Sequence, residues 1–219
     1  MRTGISLRTV VDLLVPPCCG VCGSACAGGA PVCRRCDSAL QANRPERLSV
    51  PGLDLTLAAA AYDGRAGELV RGLKFCARTP LATYAARAIA AALPVSHADS
   101  RVVPVPAAPA RLLRRGFDPA DAIAVALAAE LGLRCAPVLS RRDGPRQVGR
   151  RRQARVADPP RVRLVAEAPT RSILVDDVVT TGATLAACGR ALRAGGCREI
   201  VAVAYAHSEK RLGERAVEA

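Results

Sequence analysis

Two adjacent carboxylates, Asp176 and Asp177, close the apolar run SILV; after two valines come Thr180, Thr181, Gly182, Ala183 and Thr184. The apolar run reads as a buried strand, and ATLAACGRALRAGG, from Ala183 onward, carries helical spacing. The acids therefore stand at a strand's carboxyl end and the Thr-Thr-Gly-Ala-Thr loop at a helix N-terminus. Free N–H groups and the positive end of the helix dipole attract an anion there. Gly182 allows close backbone approach, and three hydroxyls add donors. A phosphate on the amides and sugar hydroxyls on the acids would suit a 5-phosphorylated ribose. Competing uses of two such acids are excluded by the rest of the chain. A nucleoside triphosphatase needs G-x-x-x-x-G-K-[ST], and neither Lys74 nor Lys210 follows a glycine; no G-x-G-x-x-G occurs either.

A second set of residues sits near the amino terminus, in CCGVCGSACAGGAPVCRRC. Cys19 with Cys22, and Cys33 with Cys36, form two C-x2-C pairs, the spacing of a closed, tetrahedral zinc site. Cys18 and Cys26, each four positions from Cys22, are alternative members of the first pair. A glycine-rich knuckle with little apolar content draws its folding free energy from the metal. The remaining cysteines, Cys76, Cys135, Cys188 and Cys197, are scattered and read as small core residues.

The formal charge is +13, carried by 30 Arg and only two Lys. Arginine's planar fork suits phosphate, so the balance points to phosphate-bearing partners. Nine Arg against two Asp fall between Arg141 and Arg163, so over half of the excess charge lies in one strip. Aromatics are only 2% of the residues, which argues against a stacking platform for single-stranded nucleic acid. No apolar run reaches the length of a membrane span. The opening MRTGISLRTVVDLLVPP, interrupted by Asp12, reads as a short amphipathic helix ending at Pro16 and Pro17 rather than an export signal. Ten cysteines then imply a reducing, cytoplasmic setting.

From Leu55 onward short β-like runs alternate with longer Ala-rich helical ones. LTLAAAAY, RVVPVP, APVL, RSILVDD and EIVAVAYA read as strands. GELVRGLKF, 81–93, PADAIAVALAAEL and the run after Gly182 read as helices, with Gly132 and Gly195 as stops. The alternation predicts an α/β fold: a mostly parallel sheet with helices on both faces and ligands at the strands' carboxyl ends. A polar, proline-containing stretch divides the chain near residue 50. The expected organisation is an amino-terminal helix and zinc module over 1–50, then a larger domain over 51–219 with a flexible Arg-rich loop at 141–160.

ILVDDVVTTGAT resembles the phosphoribosyl pyrophosphate (PRPP) signature of type I phosphoribosyltransferases. The four-cysteine module, VPVPAAPARLLRRGFDPA and GLKF are similar to the ComF-like competence branch, so the resemblance spans nearly the whole chain. It departs at FDPA, where that family has Asn-Gln. The resemblance implies that Asp176 and Asp177 hold the ribose hydroxyls and Thr180, Thr181, Gly182, Ala183 and Thr184 the 5-phosphate. Pro106, Ala107 and Ala108 would face the pyrophosphate through backbone amides, with Lys74, Arg111 or Arg115 nearby. Mg would arrive with PRPP, because it favours phosphate oxygens, while Zn is structural. The Arg-rich strip takes the place of the mobile loop that closes over the reacting centre. Gln147 and Arg150 to Arg152 are its candidate residues, with Arg151 taken as catalytic. The function expected is Mg-dependent phosphoribosyl transfer to an acceptor the sequence does not name, in the context of DNA uptake. The alternative is a non-catalytic protein that senses PRPP or engages DNA or proteins. Expected partners are PRPP, the acceptor, single-stranded DNA or DNA-uptake proteins, and a second copy of the chain as a homodimer.

Overall fold

The computed structural model describes residues 18–26, 30–76, 79–94, 97–142 and 160–208. A short helix α1 (Arg34–Gln41) leads to strands β1 (Glu46–Leu48) and β2 (Leu55–Ala61). Helices α2 (Gly64–Cys76) and α3 (Thr79–Ala92) follow, then β3 (Arg101–Pro104), α4 (Pro109–Arg115), α5 (Pro119–Leu131) and β4 (Arg134–Cys135). The chain closes through β5 (Leu139–Arg142), β6 (Arg161–Leu164), β7 (Arg171–Val179), α6 (Ala183–Ala194) and β8 (Glu199–His207).

Six strands form the main sheet in the order β1-β2-β8-β7-β3-β4, parallel except for the antiparallel edge strand β1. Alternation along each strand sends side chains to opposite faces. Val102, Ile173, Val175, Val201 and Val203 join α2, α3 and α5 on one face. Val103, Leu174, Ile200 and Ala202 meet Leu185, Cys188 and Leu192 of α6 on the other. A sheet buried on both sides explains why β7 and β8 read as nearly continuous apolar runs. It also bears out the expected fold class, an α/β fold with a mostly parallel sheet and helices on both faces.

The connections place the site. From β3 the chain runs through α4 and α5 outward to β4, whereas from its neighbour β7 it runs through α6 the other way, to β8. Strands whose exits diverge leave a crevice between their carboxyl ends, where open α/β sheets bind ligands. Residues 105–108 face the carboxyl end of β7 and the turn that follows it, 176–184, across that crevice.

The cysteine module packs on the same core. Cys19, Val32, Cys36 and Leu40 are buried with Leu69, Val70 and Leu73 of α2 and Leu81 of α3. Tyr84 of α3 donates to Asp37 Oδ1 of α1 at 2.7 Å. Apolar burial against α2 and α3 thus supplements whatever a metal contributes to the knuckle.

Three details differ from the sequence pattern. APVL is not one strand: Pro137 has no N–H to give a ladder, so pairing stops at Cys135 and resumes at Leu139 in a second, antiparallel sheet with β6. RVVPVP pairs as a strand only to Pro104, although the Val105 amide still donates to Val175 at 2.8 Å. Helix α4 lies in a stretch to which the sequence pattern assigned no element; Pro109 suits its first turn and Gly116, at φ 76°, its end. The Arg-rich strip begins in β5 and ends in β6, but Gln147, Arg150, Arg151 and Arg152 lie outside the described residues, as does the amino-terminal segment read as a helix.

Leu81 is fully buried where the knuckle meets the helices. Leu81→Ala is expected to lower the unfolding free energy by about 2–5 kcal/mol, read as an earlier urea midpoint.

Candidate functional site

Strand β7 ends by carrying Asp176 and Asp177 out of the core, and both line a cavity of about 260 Å³. Val105, Pro106, Ala107 and Ala108 form its facing wall, Lys74 reaches it from α2, and Arg111, Arg115 and Arg141 add positive charge. Thr180 and Thr184 complete it. A small adjoining recess, about 30 Å³, is lined by the whole Thr180–Leu185 turn together with Asp176. The structure thus brings together Lys74, Pro106, Ala107, Ala108, Arg111, Asp176, Asp177 and the Thr180–Thr184 loop, which are far apart in sequence. Arg151 lies outside the described residues.

The turn is built for an anion. Gly182 is the N-cap of α6 in a left-handed conformation, φ 70°, and a Cβ there would come within 2.9 Å of Val50. Glycine alone satisfies both the torsion and the space. No side chain caps the helix; the nearest is Thr181 Oγ1, 3.5 Å from the Ala183 amide. The first amides of α6 are therefore left for a ligand.

Charge is arranged less simply than the spacing suggests. Lys74 Nζ lies 2.9 Å from Asp177 Oδ2, and both side chains are only 21% and 15% exposed, so the pair is partly shielded from salt and water. Asp176 keeps slight access to the cavity but is otherwise enclosed by protein. Burial, and then the neighbouring Asp177 carboxylate, hold its pKa well above the usual carboxylate range. The Asp177 amide donates to Asp176 Oδ1 at 2.8 Å and offsets part of that.

Asp118, the residue at the FDPA departure, turns out to organise the facing loop. Its Oδ1 accepts from the Ala120 amide at 3.0 Å as the N-cap of α5, while Oδ2 accepts from the Ala107 amide at 2.9 Å. Pro106 has no N–H, and Ala107 gives its own to Asp118. Of the three residues expected to meet pyrophosphate through amides, only Ala108 keeps one for that use, and the positive charge comes from Lys74, Arg111, Arg115 and Arg141. Asp-Pro at a helix start is a recognisable cap; its second bond, to Ala107, depends on packing. Beyond this loop a larger cavity of about 730 Å³ shares Pro106, Ala107, Asp118 and Arg141.

The sulfurs of Cys19, Cys22, Cys33 and Cys36 all lie within 4.8 Å of one another, and Cys22 and Cys33 are 3.7 Å apart. Tetrahedral zinc with bonds of about 2.3 Å separates its sulfurs by roughly 3.8 Å, so the four fit a zinc ion. Val21 and Cys33 amides point at Cys19 Sγ, at 3.4 and 3.3 Å. Burial raises the Cys19 pKa, but these amides and that of Cys22 outweigh it and bring it down. Hydrogen bonds from Ser24 bring Cys22 to about 6. Thiolate character is thus favoured at two of the four sulfurs. Cys18, exposed, and Cys26, buried, stand outside the cluster.

The family model described as "Phosphoribosyl transferase domain" matches residues 112–218, which takes in Asp118, β7 with its two acids, the Thr180–Thr184 turn and β8. A comparison with curated proteins finds no match. The match spans just under half of the chain, so what it shows is that residues 112–218 are similar to a phosphoribosyltransferase domain.

Because the native state favours protonated Asp176, its ionisation costs stability as pH rises above the unfolded carboxylate value near 3.8. Asp176→Asn is expected to raise Tm by about 3 °C at pH 7.5. The gain should vanish toward pH 3.5, where Asp176 is protonated in both states; differential scanning at several pH values reads it.

Proposed function

We propose that this protein binds PRPP with Mg and transfers its 5-phosphoribosyl group to an acceptor. The observation that carries the reading is the meeting, in one crevice, of a half-buried carboxylate pair, an uncapped helix N-terminus behind Gly182 and a cluster of four cations. Asp176 and Asp177 accept from the ribose 2- and 3-hydroxyls. Amides and hydroxyls of Thr180, Thr181, Gly182, Ala183 and Thr184 hold the 5-phosphate. Lys74, Arg111 and the Ala108 amide, in the loop steadied by Asp118, take the pyrophosphate. Mg supplies further neutralisation of the leaving group.

Breaking the bond at C1 moves negative charge onto pyrophosphate and positive charge onto the ribose ring. Fixed cations on one side and the carboxyl oxygens of Asp177 and Asp176 on the other stabilise that separation without reorganisation. Holding both ends of PRPP orients C1 toward the acceptor, and exclusion of water protects the cation from hydrolysis. We assign Arg151 and its neighbours to a loop that covers the reacting centre. Zinc on Cys19, Cys22, Cys33 and Cys36 is structural. The joining of this module to a transferase sheet supports a place in the ComF-like branch, and with it a cytoplasmic role in DNA uptake.

PRPP with Mg at about one hundred times Kd should stabilise the wild type by about 2.7 kcal/mol, a rise of about 5–10 °C in Tm. The Asp176→Asn/Asp177→Asn protein should show none of it, while the absence of a shift in the wild type contradicts the reading. Freshly purified protein should also carry close to one equivalent of zinc by metal analysis; less than about half an equivalent contradicts the four-thiolate site.

A further inference from the structure

Gly20 lies inside the first metal turn, between Cys19 and Cys22, and its carbonyl oxygen sits so close to Gly72 of α2 that a Cβ there would be 2.5 Å from it. Leu81 of α3 closes the contact from the side, within 3.0 Å of the same point. This is backbone pressed on backbone, with no flexible side chain between to absorb a shift. Gly20 is itself fixed by its amide, which donates to Pro31 at 2.9 Å, two residues before the third cysteine. Two residues beyond Gly72, on the last turn of α2, Lys74 reaches Asp177 at 2.9 Å. Leu73, between them, is buried in the shared core.

We infer that the Gly20–Gly72 contact is a positioning device, through which the four-cysteine site, when it holds its metal, fixes α2 and so sets Lys74 against Asp177 in the ligand crevice. The ligand assignment within that crevice rests on the proposed function; the mechanical link does not. A knuckle gathered around a metal presents the Gly20 carbonyl at one height, and α2 can dock only there. A knuckle with four separate thiols has no such fixed height. Lys74 then leaves Asp177, and both acids lose the cation that opposes their mutual repulsion. Metal and phosphoribosyl ligand are therefore coupled across the fold, and each tightens the other by the same factor.

The low lysine content makes the test clean, since Lys74 and Lys210 are the chain's two lysines. The rate at which an amine-reactive reagent labels Lys74 is read by mass spectrometry in the zinc-loaded wild type, in Gly72→Ala and in Gly67→Ala. Gly67 is on the same helix, and its Cβ would meet nothing nearer than 3.6 Å. Gly72→Ala holding a full zinc equivalent should label Lys74 about tenfold faster and bind PRPP with Mg about tenfold more weakly, with Gly67→Ala unchanged in both. Unchanged labelling of Lys74 in zinc-loaded Gly72→Ala overturns the inference.

If Gly72→Ala does not fold, the wild type decides. Saturating PRPP with Mg should raise its affinity for zinc about tenfold in competition with a zinc-selective chelator, and Lys74→Ala should abolish the effect while still binding zinc. Equal zinc affinity with and without PRPP, in a wild type that binds PRPP, overturns the inference. Should the wild type bind no PRPP while Lys74 labelling still follows the Gly72 substitution, the proposed function fails and the positioning role stands.

Discussion

Two carboxylates on consecutive residues at the end of a buried strand repel one another, and the surroundings of Asp176 and Asp177 answer that repulsion. Lys74 takes Asp177 directly, at 2.9 Å, while Asp176 retains its proton more readily than a free carboxylate because burial and Asp177 both oppose its charge. Arg111, Arg115 and Arg141 ring the same cavity. Such an arrangement costs stability without a ligand, and the proposed one, PRPP, would bring hydroxyls to the acids and phosphates to the cations. The strain and the binding capacity are one property of the site.

Everything else serves to hold the opposing charges at the right separation. The parallel sheet supplies stiffness, its two faces covered by α2, α3 and α5 on one side and α6 on the other. The divergent exits of β3 and β7 open the crevice, Gly182 admits the approach of the turn to Val50, and Asp118 ties the facing loop to the start of α5. The cysteine module belongs to the same construction. It shares the core of α2 and α3 and touches the helix that delivers Lys74.

Local features of this design were legible in the residues themselves. VDDVVTTGAT works through neighbours in sequence, so spacing alone placed the acids at a strand end and the threonines at a helix start. The C-x2-C pairs bind through turns of fixed size, and the structure gathers Cys19, Cys22, Cys33 and Cys36 while leaving Cys18 and Cys26 aside. Features that depend on distant partners were not legible. Asp118 looks like an ordinary helix cap until Ala107 is seen against it, and Gly72 looks like a weak point in a helix until Gly20 is found on top of it. Pro137 moved a strand by removing one donor, and a short helix hid among prolines at 109–115 because its burial is slight.

In the proposed complex the acid pair reads a ribose ring while the turn beyond it reads the ring's phosphate. A crystal structure of the zinc-loaded protein with PRPP and Mg tests it directly. Ribose hydroxyls are expected within about 3.2 Å of carboxylate oxygens on both Asp176 and Asp177, with the 5-phosphate on the amides of 181–184. PRPP bound with its phosphates on the acids' side through Mg, or seated outside the crevice between β3 and β7, would contradict it.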